Sequence, residues 1–340
     1  MQTGLTTLIL PAGEAAVREA ARLLARGGLV AFPTETVYGL GADATNAGAI
    51  ARLYQAKGRP AFNPLISHVG DLEAARRIGR FDETAALLAQ AFWPGPLTLV
   101  LPKAAGCAVA DLATAGLETI AIRVPAHPTA SAILRAFGGP VVAPSANLSG
   151  HVSPTSAAHV RGDLEGLIDL IVDGGAVEVG VESTIVGCFE QPVLLRPGGL
   201  PREDIERALG HALVQPPEDA ESDSGQPLAP GMLTSHYAPR TRVRLNALTV
   251  TPGEALLAFG HPAKGADRAA CVMNLSARGD LNEAAANLFG YLRALDARQA
   301  ASIAVMPIPN EGLGEAINDR LRRAAAGRED SESMTGTGQQ

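Results

Sequence analysis

Cysteine, lysine and long apolar runs are all scarce in this sequence. The three cysteines, Cys107, Cys188 and Cys271, lie far apart and form no CxxC pair, which excludes a disulfide framework and a structural zinc module and favours a reducing, cytoplasmic location. An uncharged stretch covers residues 84–102, but the WPGP sequence at 93–96 interrupts it, and a membrane-spanning helix needs about 20 predominantly apolar residues. The apolar segment near the N-terminus is too short for a signal peptide. The sequence therefore predicts neither a membrane span nor export.

The sequence also lacks the common catalytic and cofactor motifs. It has no GxxxxGK[ST] phosphate-binding loop, and no GxGxxG follows a predicted strand, so a nucleotide would have to bind in another geometry. Its seven histidines show neither HExxH nor HxH spacing and pair with no cysteine, so we predict no dedicated protein metal site. The absence of a GxSxG sequence disfavours covalent serine catalysis.

The composition is that of a folded protein with a net negative charge. The 340 residues are 46% hydrophobic and 19% charged, a balance that fits a globular chain of about two domains. Lysine and arginine number 28 against 35 aspartate and glutamate residues, a net charge of −7. The molecule as a whole therefore has no general attraction to a nucleic-acid backbone or an anionic membrane, and any basic site has to be local.

Helical and extended patterns alternate along the chain, which predicts a mixed α/β fold. The hydroxyl- and glycine-rich segment at 33–41 interrupts this alternation, and we expect a site loop there rather than a regular element. The first domain is expected to span 1–212. A proline-rich, acidic linker then covers 213–240, a smaller α/β domain covers 241–328, and a polar, disordered tail covers 329–340.

Two polar segments follow predicted regular elements and are candidate anion-binding loops. In KGRP, Lys57 and Arg59 lie one residue apart at the end of a predicted helix, and a glycine and two nearby prolines, Pro60 and Pro64, would fix both cations on one side. The alternative is an ordinary helix C-terminus, which favours positive charge. The sequence APSANLSG at 143–150 follows a buried strand, and it is either a loop whose small side chains let a ligand approach the backbone or an ordinary turn.

Two arginines, Arg123 and Arg196, interrupt otherwise apolar β-type runs. Because burying a charge is costly unless it is paired, each of them either faces solvent by alternation or binds an anionic partner. Two such arginines at strand ends favour an anion pocket, to which the hydroxyls of Ser183 and Thr184 would add neutral donors. His68 is expected to make a single polar contact rather than to act as a base.

Seven short motifs, in their order along the chain, resemble the YrdC-like domain of threonylcarbamoyl-AMP synthases. They are GGLVAFPTETVYGLG (27–41), KGRPAFNPL (57–65), WPGPLT (93–98), AIRVPAHP (121–128), APSANLSG (143–150), ESTIV (182–186) and LRPG (195–198). Beyond them, APGMLTSHYAP at 229–239 resembles the linker of the long, two-domain form of this family. The resemblance covers nearly the whole chain. It implies an α/β fold with a YrdC-like mixed-sheet domain that has a concave basic pocket, followed by a smaller Rossmann-like α/β C-terminal domain.

The resemblance implies an enzyme that makes L-threonylcarbamoyladenylate and pyrophosphate from L-threonine, bicarbonate and ATP, with Mg²⁺ bound mainly through the ATP phosphates. A carbamate formed on the threonine amine would attack the α-phosphorus of ATP, so that no protein nucleophile is needed. Residues 235–239 of the linker would act as a lid over the labile product. The product would pass to a tRNA threonylcarbamoyl transferase complex, which forms threonylcarbamoyladenosine in tRNA.

The same resemblance implies roles for individual residues. The catalytic KxR and SxN signatures of the family are matched by Lys57, Arg59, Ser145 and Asn147. ATP would contact Arg59, Asn63, Thr119, Ser145, Ser153, Arg196 and Tyr237. L-Threonine would contact Thr36, His68, Arg123, the backbone at Ala143, and Ser183. The Arg123 guanidinium would form a charge-assisted hydrogen bond with the threonine carboxylate, and no metal ligand is assigned.

Two other functions fit parts of the pattern. A non-enzymatic RNA-binding module would use the same concave basic surface, but the net charge of −7 and the lack of a basic run interleaved with aromatics predict at most weak direct tRNA binding. Salt-sensitive tRNA binding without nucleotide turnover would identify such a module. The carbamoyl-transferring hydrogenase maturation protein contains a similar domain together with zinc-finger cysteines, and this chain has no CxxC.

Overall fold

The computed structural model describes residues 5–215 and 237–326, which form two β-sheets with helices packed on them. A ten-stranded mixed sheet is built from the first of these segments, and a four-stranded parallel sheet is built from the second. The fold is therefore mixed α/β with a second, smaller parallel sheet, as the alternating patterns and the resemblance predict. Most of the expected linker and the expected C-terminal tail lie outside the described residues, so the domain boundaries stay a prediction.

The large sheet and its helices occupy residues 8–209. Its strands are β1 (Leu8–Pro11), β2 (Val30–Pro33), β3 (Tyr38–Asp43), β4 (Ile66–His68), β5 (Leu97–Pro102), β6 (Thr119–Arg123), β7 (Val141–Val142), β8 (Leu170–Asp173), β9 (Thr184–Cys188) and β10 (Pro192–Arg196). Their order across the sheet is β1-β8-β2-β3-β7-β4-β6-β5-β9-β10. Its helices are α1 (Glu14–Ala25), α2 (Ala47–Lys57), α3 (Leu72–Arg76), α4 (Glu83–Phe92), α5 (Pro128–Phe137), α6 (Ala157–Leu164) and α7 (Arg202–Leu209).

The bounds of helix α2 decide where the KGRP segment lies. The Asn46 side chain caps the first turn of the helix by accepting a hydrogen bond from the Ala49 amide at 3.1 Å. Gly58 ends the helix in the left-handed conformation, with a φ of 58° that a side chain would make strained. Lys57 is therefore the last helical residue, and Arg59 already belongs to the loop.

The segment at 33–41 is more regular than the sequence predicts. Strands β2 and β3 form an antiparallel hairpin, and only a short polar turn joins them. The Thr34 hydroxyl closes this turn by donating to the Val37 carbonyl at 2.7 Å. Gly41 lies so close to Phe32 on the facing strand that an added Cβ would come within 2.7 Å of its ring. The expectation of an irregular loop was therefore wrong for β3, because close packing across the hairpin requires a glycine that sequence patterns associate with loops.

The second sheet contains four parallel strands, in the order β11-β14-β12-β13, within the segment that starts at 237. They are β11 (Val243–Arg244), β12 (Ala255–Ala258), β13 (Cys271–Asn274) and β14 (Ile303–Val305), and the helices are α8 (Leu281–Asp296) and α9 (Leu313–Ala325). The apolar stripe of α8 is buried, as its helical spacing predicts. Within the two described segments, every helix is too short or too polar to cross a membrane.

The small sheet's helices pack directly on the larger part of the molecule. Arg293 in α8 pairs with Asp163 in α6 at 2.7 Å, and Arg202 in α7 pairs with Glu315 in α9. Gly180, in the loop before β9, lies so close to α8 that an added Cβ would come within 2.2 Å of a backbone oxygen of that helix. The loop that leads into β9 is therefore packed against the C-terminal part.

Candidate functional site

A cavity at the ends of several strands of the large sheet brings together polar segments that are far apart in the sequence. It encloses about 50 Å³. Eight of the predicted site residues line it, and these are Arg59, His68, Arg123, Ala143, Ser145, Ser183, Arg196 and Tyr237. The predicted ATP and threonine residues therefore largely share one cavity.

Strand register explains why distant residues meet at this cavity. His68 and Arg123 are the last residues of the parallel neighbours β4 and β6, and they are register partners. Arg196 is the last residue of β10, and Ser183 directly precedes the antiparallel neighbour β9. These strand ends lie at one edge of the mixed sheet, where α/β proteins commonly bind ligands.

Arg123 is buried and paired, so the alternative that it faces solvent is excluded. It is 3% exposed. Its Nη1 donates to Thr36 Oγ1 at 2.9 Å, and its Nε donates to the Gly95 carbonyl at 3.3 Å. Nη2 lies 2.8 Å from Glu35 Oε1, as an ion pair without hydrogen-bond alignment. A buried guanidinium held in this way lines the cavity, and a guanidinium is a group that commonly binds carboxylates.

Burial and the Arg123 charge set the protonation of the neighbouring groups. Burial raises the pKa of Glu35, but the charge of Arg123 outweighs it and keeps this carboxyl pKa below its ordinary value. Burial, together with the Arg123 charge, lowers the pKa of His68 to about 3. The His68 ring is therefore neutral at neutral pH, with Nδ1 at 3.2 Å from the Ile66 carbonyl. It offers a polar contact and no proton exchange near pH 7.

Arg196 is likewise buried rather than solvent-facing, with 5% of its surface exposed. Its Nη2 and Nε donate to the Ser183 carbonyl at 2.8 and 3.2 Å. The Ser183 hydroxyl in turn lies 2.8 Å from Thr98 Oγ1. Thr184 does not join this group, because its hydroxyl donates to the Leu200 carbonyl at 2.6 Å. Of the two hydroxyls that the sequence offers here, only that of Ser183 lines the cavity.

Lys57 and Arg59 have different surroundings. Lys57 is buried, and its Nζ donates to the backbone carbonyl of Ser145 at 2.5 Å and to that of Asn147. It therefore lies behind the loop at 143–150 and does not line the cavity. Arg59 does line it, and burial lowers the pKa of its guanidinium only to about 10, so the charge persists at neutral pH. The expected arrangement with both cations on one side is not found.

The other predicted residues do not line the cavity wall. Thr36 and Lys57 bond to lining residues as described, and the Asn63 carbonyl accepts a hydrogen bond from Arg59 Nε at 3.4 Å. The Asn147 amide donates to the Leu148 and His151 carbonyls, and Ser153 Oγ donates to Glu182 Oε1 at 2.5 Å. Thr119 begins β6, at the opposite end of that strand from Arg123.

Three charged residues at the site were not identified from the sequence. These are Glu35, Glu182 and Arg320. Glu182 lines the cavity. Arg320 lies in α9, and its Nε donates to Glu182 at 2.8 Å. One signal for Arg320 is present in the sequence. With Ile317 and Leu321, Arg320 lies on the apolar stripe of α9, and an arginine on a buried stripe has to be paired.

Comparison with known proteins finds relatives over almost the whole chain. A family model described as "Telomere recombination" matches residues 22–198, and one described as "Threonylcarbamoyl-AMP synthase, C-terminal domain" matches residues 200–326. The threonylcarbamoyl-AMP synthase of Bacillus subtilis is 43% identical over 326 residues, which covers 92% of this chain and 93% of that protein. The threonylcarbamoyl-AMP synthase of Pyrococcus abyssi is 44% identical over 328 residues, with 91% and 94% coverage.

The fold is also that of a solved structure. A crystal structure of a P. abyssi protein complexed with L-threonine matches with a TM-score of 0.85 and 39% sequence identity. The match covers 95% of this chain and 97% of that one, so it includes both sheets.

Proposed function

The chain belongs to the threonylcarbamoyl-AMP synthase family, and we propose that it forms threonylcarbamoyl-AMP and pyrophosphate from L-threonine, bicarbonate and ATP. The observation that supports this most directly is the convergence of Arg59, Arg123 and Arg196 on one cavity in a protein whose net charge is −7. The reaction needs three anions in one place, namely the threonine carboxylate, bicarbonate and the triphosphate. As a nucleotidyltransferase, the enzyme supplies an activated intermediate for tRNA modification.

L-Threonine binds at the end of the cavity where Arg123 lies. The Arg123 guanidinium receives the carboxylate, and its bond to Thr36 holds it in orientation. The neutral ring of His68, the hydroxyl of Ser183 and the backbone at Ala143 complete the proposed contacts. A carboxylate that binds here approaches a guanidinium that Glu35 already partly neutralises, so recognition depends on hydrogen-bond geometry as well as on charge.

ATP binds at the end formed by Arg59 and Arg196, which are placed to meet its phosphates. Ser145 and Tyr237 also line the cavity, and Tyr237 lies near both of these arginines. The proposed ATP set also includes Asn63, Thr119 and Ser153. Asn63 contacts Arg59, Ser153 contacts Glu182, and Thr119 lies outside the present cavity wall.

Catalysis in this proposal comes from positioning and charge stabilisation. The threonine amine adds to the bicarbonate carbon with loss of water, which gives a carbamate. A carbamate oxygen then forms a bond to the α-phosphorus, the bond between this phosphorus and the bridging oxygen to the β-phosphate breaks, and pyrophosphate leaves with its electron pair. Arg59 and Arg196 stabilise the charge on the phosphates, and Lys57 with Asn147 shapes the loop that presents Ser145.

Mg²⁺ would be held in this site mainly through the ATP phosphates. Glu182 is the only carboxylate among the described lining residues, and it is already bonded to Ser153 and Arg320. No group of three or more histidine, cysteine, aspartate or glutamate residues suited to a metal ion occurs within 5–215 and 237–326. The residues therefore fit an ion held mainly by phosphate oxygens.

The end of the linker acts as a lid. A cavity of about 50 Å³ is smaller than the site of a typical small-molecule ligand, which is about 300 to 1,000 Å³. Tyr237, at the end of the linker, is part of its wall. Ser235 and His236 of the proposed lid lie outside the described residues. The lid admits substrates and then shields the labile adenylate from water.

The product passes to a tRNA threonylcarbamoyl transferase complex in the cytoplasm. The adenylate is a mixed anhydride that water destroys, so transfer to its acceptor has to follow soon after release. The net charge of −7 supports a handover of the small molecule rather than strong direct binding of tRNA.

Pyrophosphate release tests the proposed function. The purified protein with ATP and Mg²⁺ is expected to release pyrophosphate only when both L-threonine and bicarbonate are present. Chromatography of the same reactions is expected to show threonylcarbamoyl-AMP. Release that requires neither co-substrate, or none at all from a folded protein that binds ATP, would overturn the proposal.

A further inference from the structure

Arg320 extends from the C-terminal part of the molecule to residues that line the cavity. It lies in α9 and is completely buried, at 0% exposure. Its Nε donates to Glu182 Oε2 at 2.8 Å, and its Nη1 donates to Asp319 Oδ2 at 2.6 Å. Its guanidinium also lies 5.3 Å from the centre of the Tyr237 ring. A single side chain of α9 therefore contacts two residues that line the cavity.

Glu182 needs such a partner because of where it lies. It faces a cavity that we propose to bind a triphosphate, and a bare carboxylate there would repel the substrate. Burial raises the pKa of Glu182, but the charges of Arg320 and Arg196 and the Ser153 hydrogen bond outweigh it and bring the pKa to about 2. The carboxylate is therefore ionised at neutral pH, and its charge has to be neutralised from behind.

We propose that Arg320 is a positioning residue of the synthase, which neutralises Glu182 and fixes Tyr237 so that the cavity accepts ATP. The inference rests on the proposed function, and it gives the C-terminal α/β part a direct role at the active site. Arg320 does not itself line the cavity, and it acts through Glu182 and Tyr237, which do.

The geometry distinguishes this role from that of a simple interface contact. The ion pairs Arg202–Glu315 and Arg293–Asp163 already join the same two parts of the molecule, and none of these four residues lines the cavity. Arg320, in contrast, bonds to the only carboxylate of the described cavity wall. Because a buried ion pair adds little net stability over apolar packing, stability alone is a weak reason for an arginine at this place.

Equilibrium binding of ATP in the absence of threonine and bicarbonate tests the inference. We expect Arg320→Gln to weaken ATP binding by about tenfold or more, because the Glu182 carboxylate then loses its directly bonded cation. The double variant Glu182→Gln with Arg320→Gln removes both charges and is expected to regain most of the lost affinity. Asp319 keeps Arg323 as a partner at 3.1 Å in both variants. Arg202→Gln, which breaks a separate ion pair of the interface, is the matched control and leaves the affinity unchanged.

The pH dependence of ATP binding supplies a readout that a purely structural role would not change. In Arg320→Gln, burial raises the pKa of Glu182, while Arg196 and the Ser153 hydroxyl still lower it, and Tyr237 and Asp319 remain nearby. Protonation of Glu182 then relieves the repulsion. Relative to wild type, ATP affinity of this variant is expected to improve as pH falls toward the raised pKa of Glu182.

The outcomes separate this inference from the proposed function. Equal ATP affinity of Arg320→Gln and wild type overturns the inference, and so does a double variant that binds no better than Arg320→Gln. If Arg320→Gln does not fold, the single variant Glu182→Gln tests the inference instead. Removal of the carboxylate beside a retained Arg320 is expected to tighten ATP binding. Equal or weaker binding by Glu182→Gln overturns the inference. Wild-type protein that binds ATP but releases no pyrophosphate overturns the proposed function without affecting this comparison.

Discussion

The side-chain nitrogen of Lys57 and the backbone carbonyl oxygen of Ser145 lie 2.5 Å apart, which joins the end of helix α2 to the loop at 143–150. The connection is reciprocal, because the Ser149 amide donates to the Lys57 carbonyl at 2.8 Å. The KxR and SxN signatures, about 90 residues apart in the sequence, are therefore one structural unit. Only Arg59 and Ser145 of that unit line the cavity.

Replacement of Lys57 by methionine is expected to lower both stability and activity. The variant leaves the buried carbonyl oxygens of Ser145 and Asn147 without the Lys57 donor, which costs about 2 kcal/mol in the free energy of unfolding. Urea unfolding measures this loss, and pyrophosphate release should fall because Ser145 is displaced. Lys103→Met, which breaks an ion pair with the exposed Asp111, is the control and should change stability by less than about 0.5 kcal/mol. Wild-type stability of Lys57→Met would contradict this account.

Arg59→Ala is expected to separate activity from stability. Arg59 is partly exposed and donates to the Pro64 carbonyl at 3.0 Å, so its loss should change the free energy of unfolding by about 1 kcal/mol or less. The loss of a cation that meets the phosphates should reduce kcat/KM for ATP by about 100-fold or more. Steady-state pyrophosphate release and urea unfolding measure the two effects. The control is Arg161→Ala, at an exposed ion pair with Glu165, which should change neither kcat/KM nor the free energy of unfolding. An Arg59→Ala enzyme as active as this control would exclude Arg59 from catalysis.

The two buried strand-end arginines are expected to serve different substrates. Arg123→Lys keeps the charge but loses the planar group that bonds to Thr36, so KM for threonine should rise by about tenfold with little change for ATP. Arg196→Lys should show the reverse pattern, with a higher KM for ATP. Because the variants are matched in chemistry and burial, each is the control for the other. Equal effects of both variants on both substrates would contradict the assignment of separate ends.

Much of the fold follows from local patterns in the sequence, whereas contacts between distant residues do not. The stripe of α8 and the strand with Arg123 are predictable, since periodicity and an isolated charge are local signals. Strand β3 was missed because Gly41 is required by the Phe32 ring across the hairpin. The pairing of Arg320 with Glu182, 138 residues apart, has no local signal for the partner, even though the apolar stripe of α9 marks the arginine itself.

Acid is expected to destabilise the protein partly through His68. Burial lowers the pKa of His68 from 6.5 to about 3, so below pH 6.5 the unfolded chain binds a proton that the folded protein does not. The stability that comes from the neutral ring is complete above pH 6.5 and is lost as pH falls toward 3, with a loss of about 2 kcal/mol by pH 5. Urea unfolding at pH 7 and pH 5 measures the change.

His68→Gln provides the comparison for this pH effect. The variant cannot bind the proton, so its stability should fall by about 2 kcal/mol less than that of wild type between the two pH values. His211→Gln, at an exposed position, should keep the full wild-type decrease. If His68→Gln and wild type lose the same stability, His68 is not the group responsible.

The ring of Tyr237 is expected to shield the adenylate product. It stacks on Phe289 at a centroid distance of 5.5 Å, and Arg320 covers it from α9, so the C-terminal part fixes a residue of the cavity wall. Tyr237→Ala removes this wall and should shorten the lifetime of threonylcarbamoyl-AMP in the presence of the enzyme, whereas Tyr237→Phe keeps the stack and the lifetime. Chromatographic decay curves after an ATP-depleting chase measure this lifetime. Loss of the buried ring also costs about 3 kcal/mol, so both variants have to be compared at a temperature where they are folded. Faster decay of the product with Tyr237→Ala alone assigns the protection to the ring. Equally faster decay with both variants assigns it to the hydroxyl. Unchanged decay with both variants would show that Tyr237 is not part of a lid.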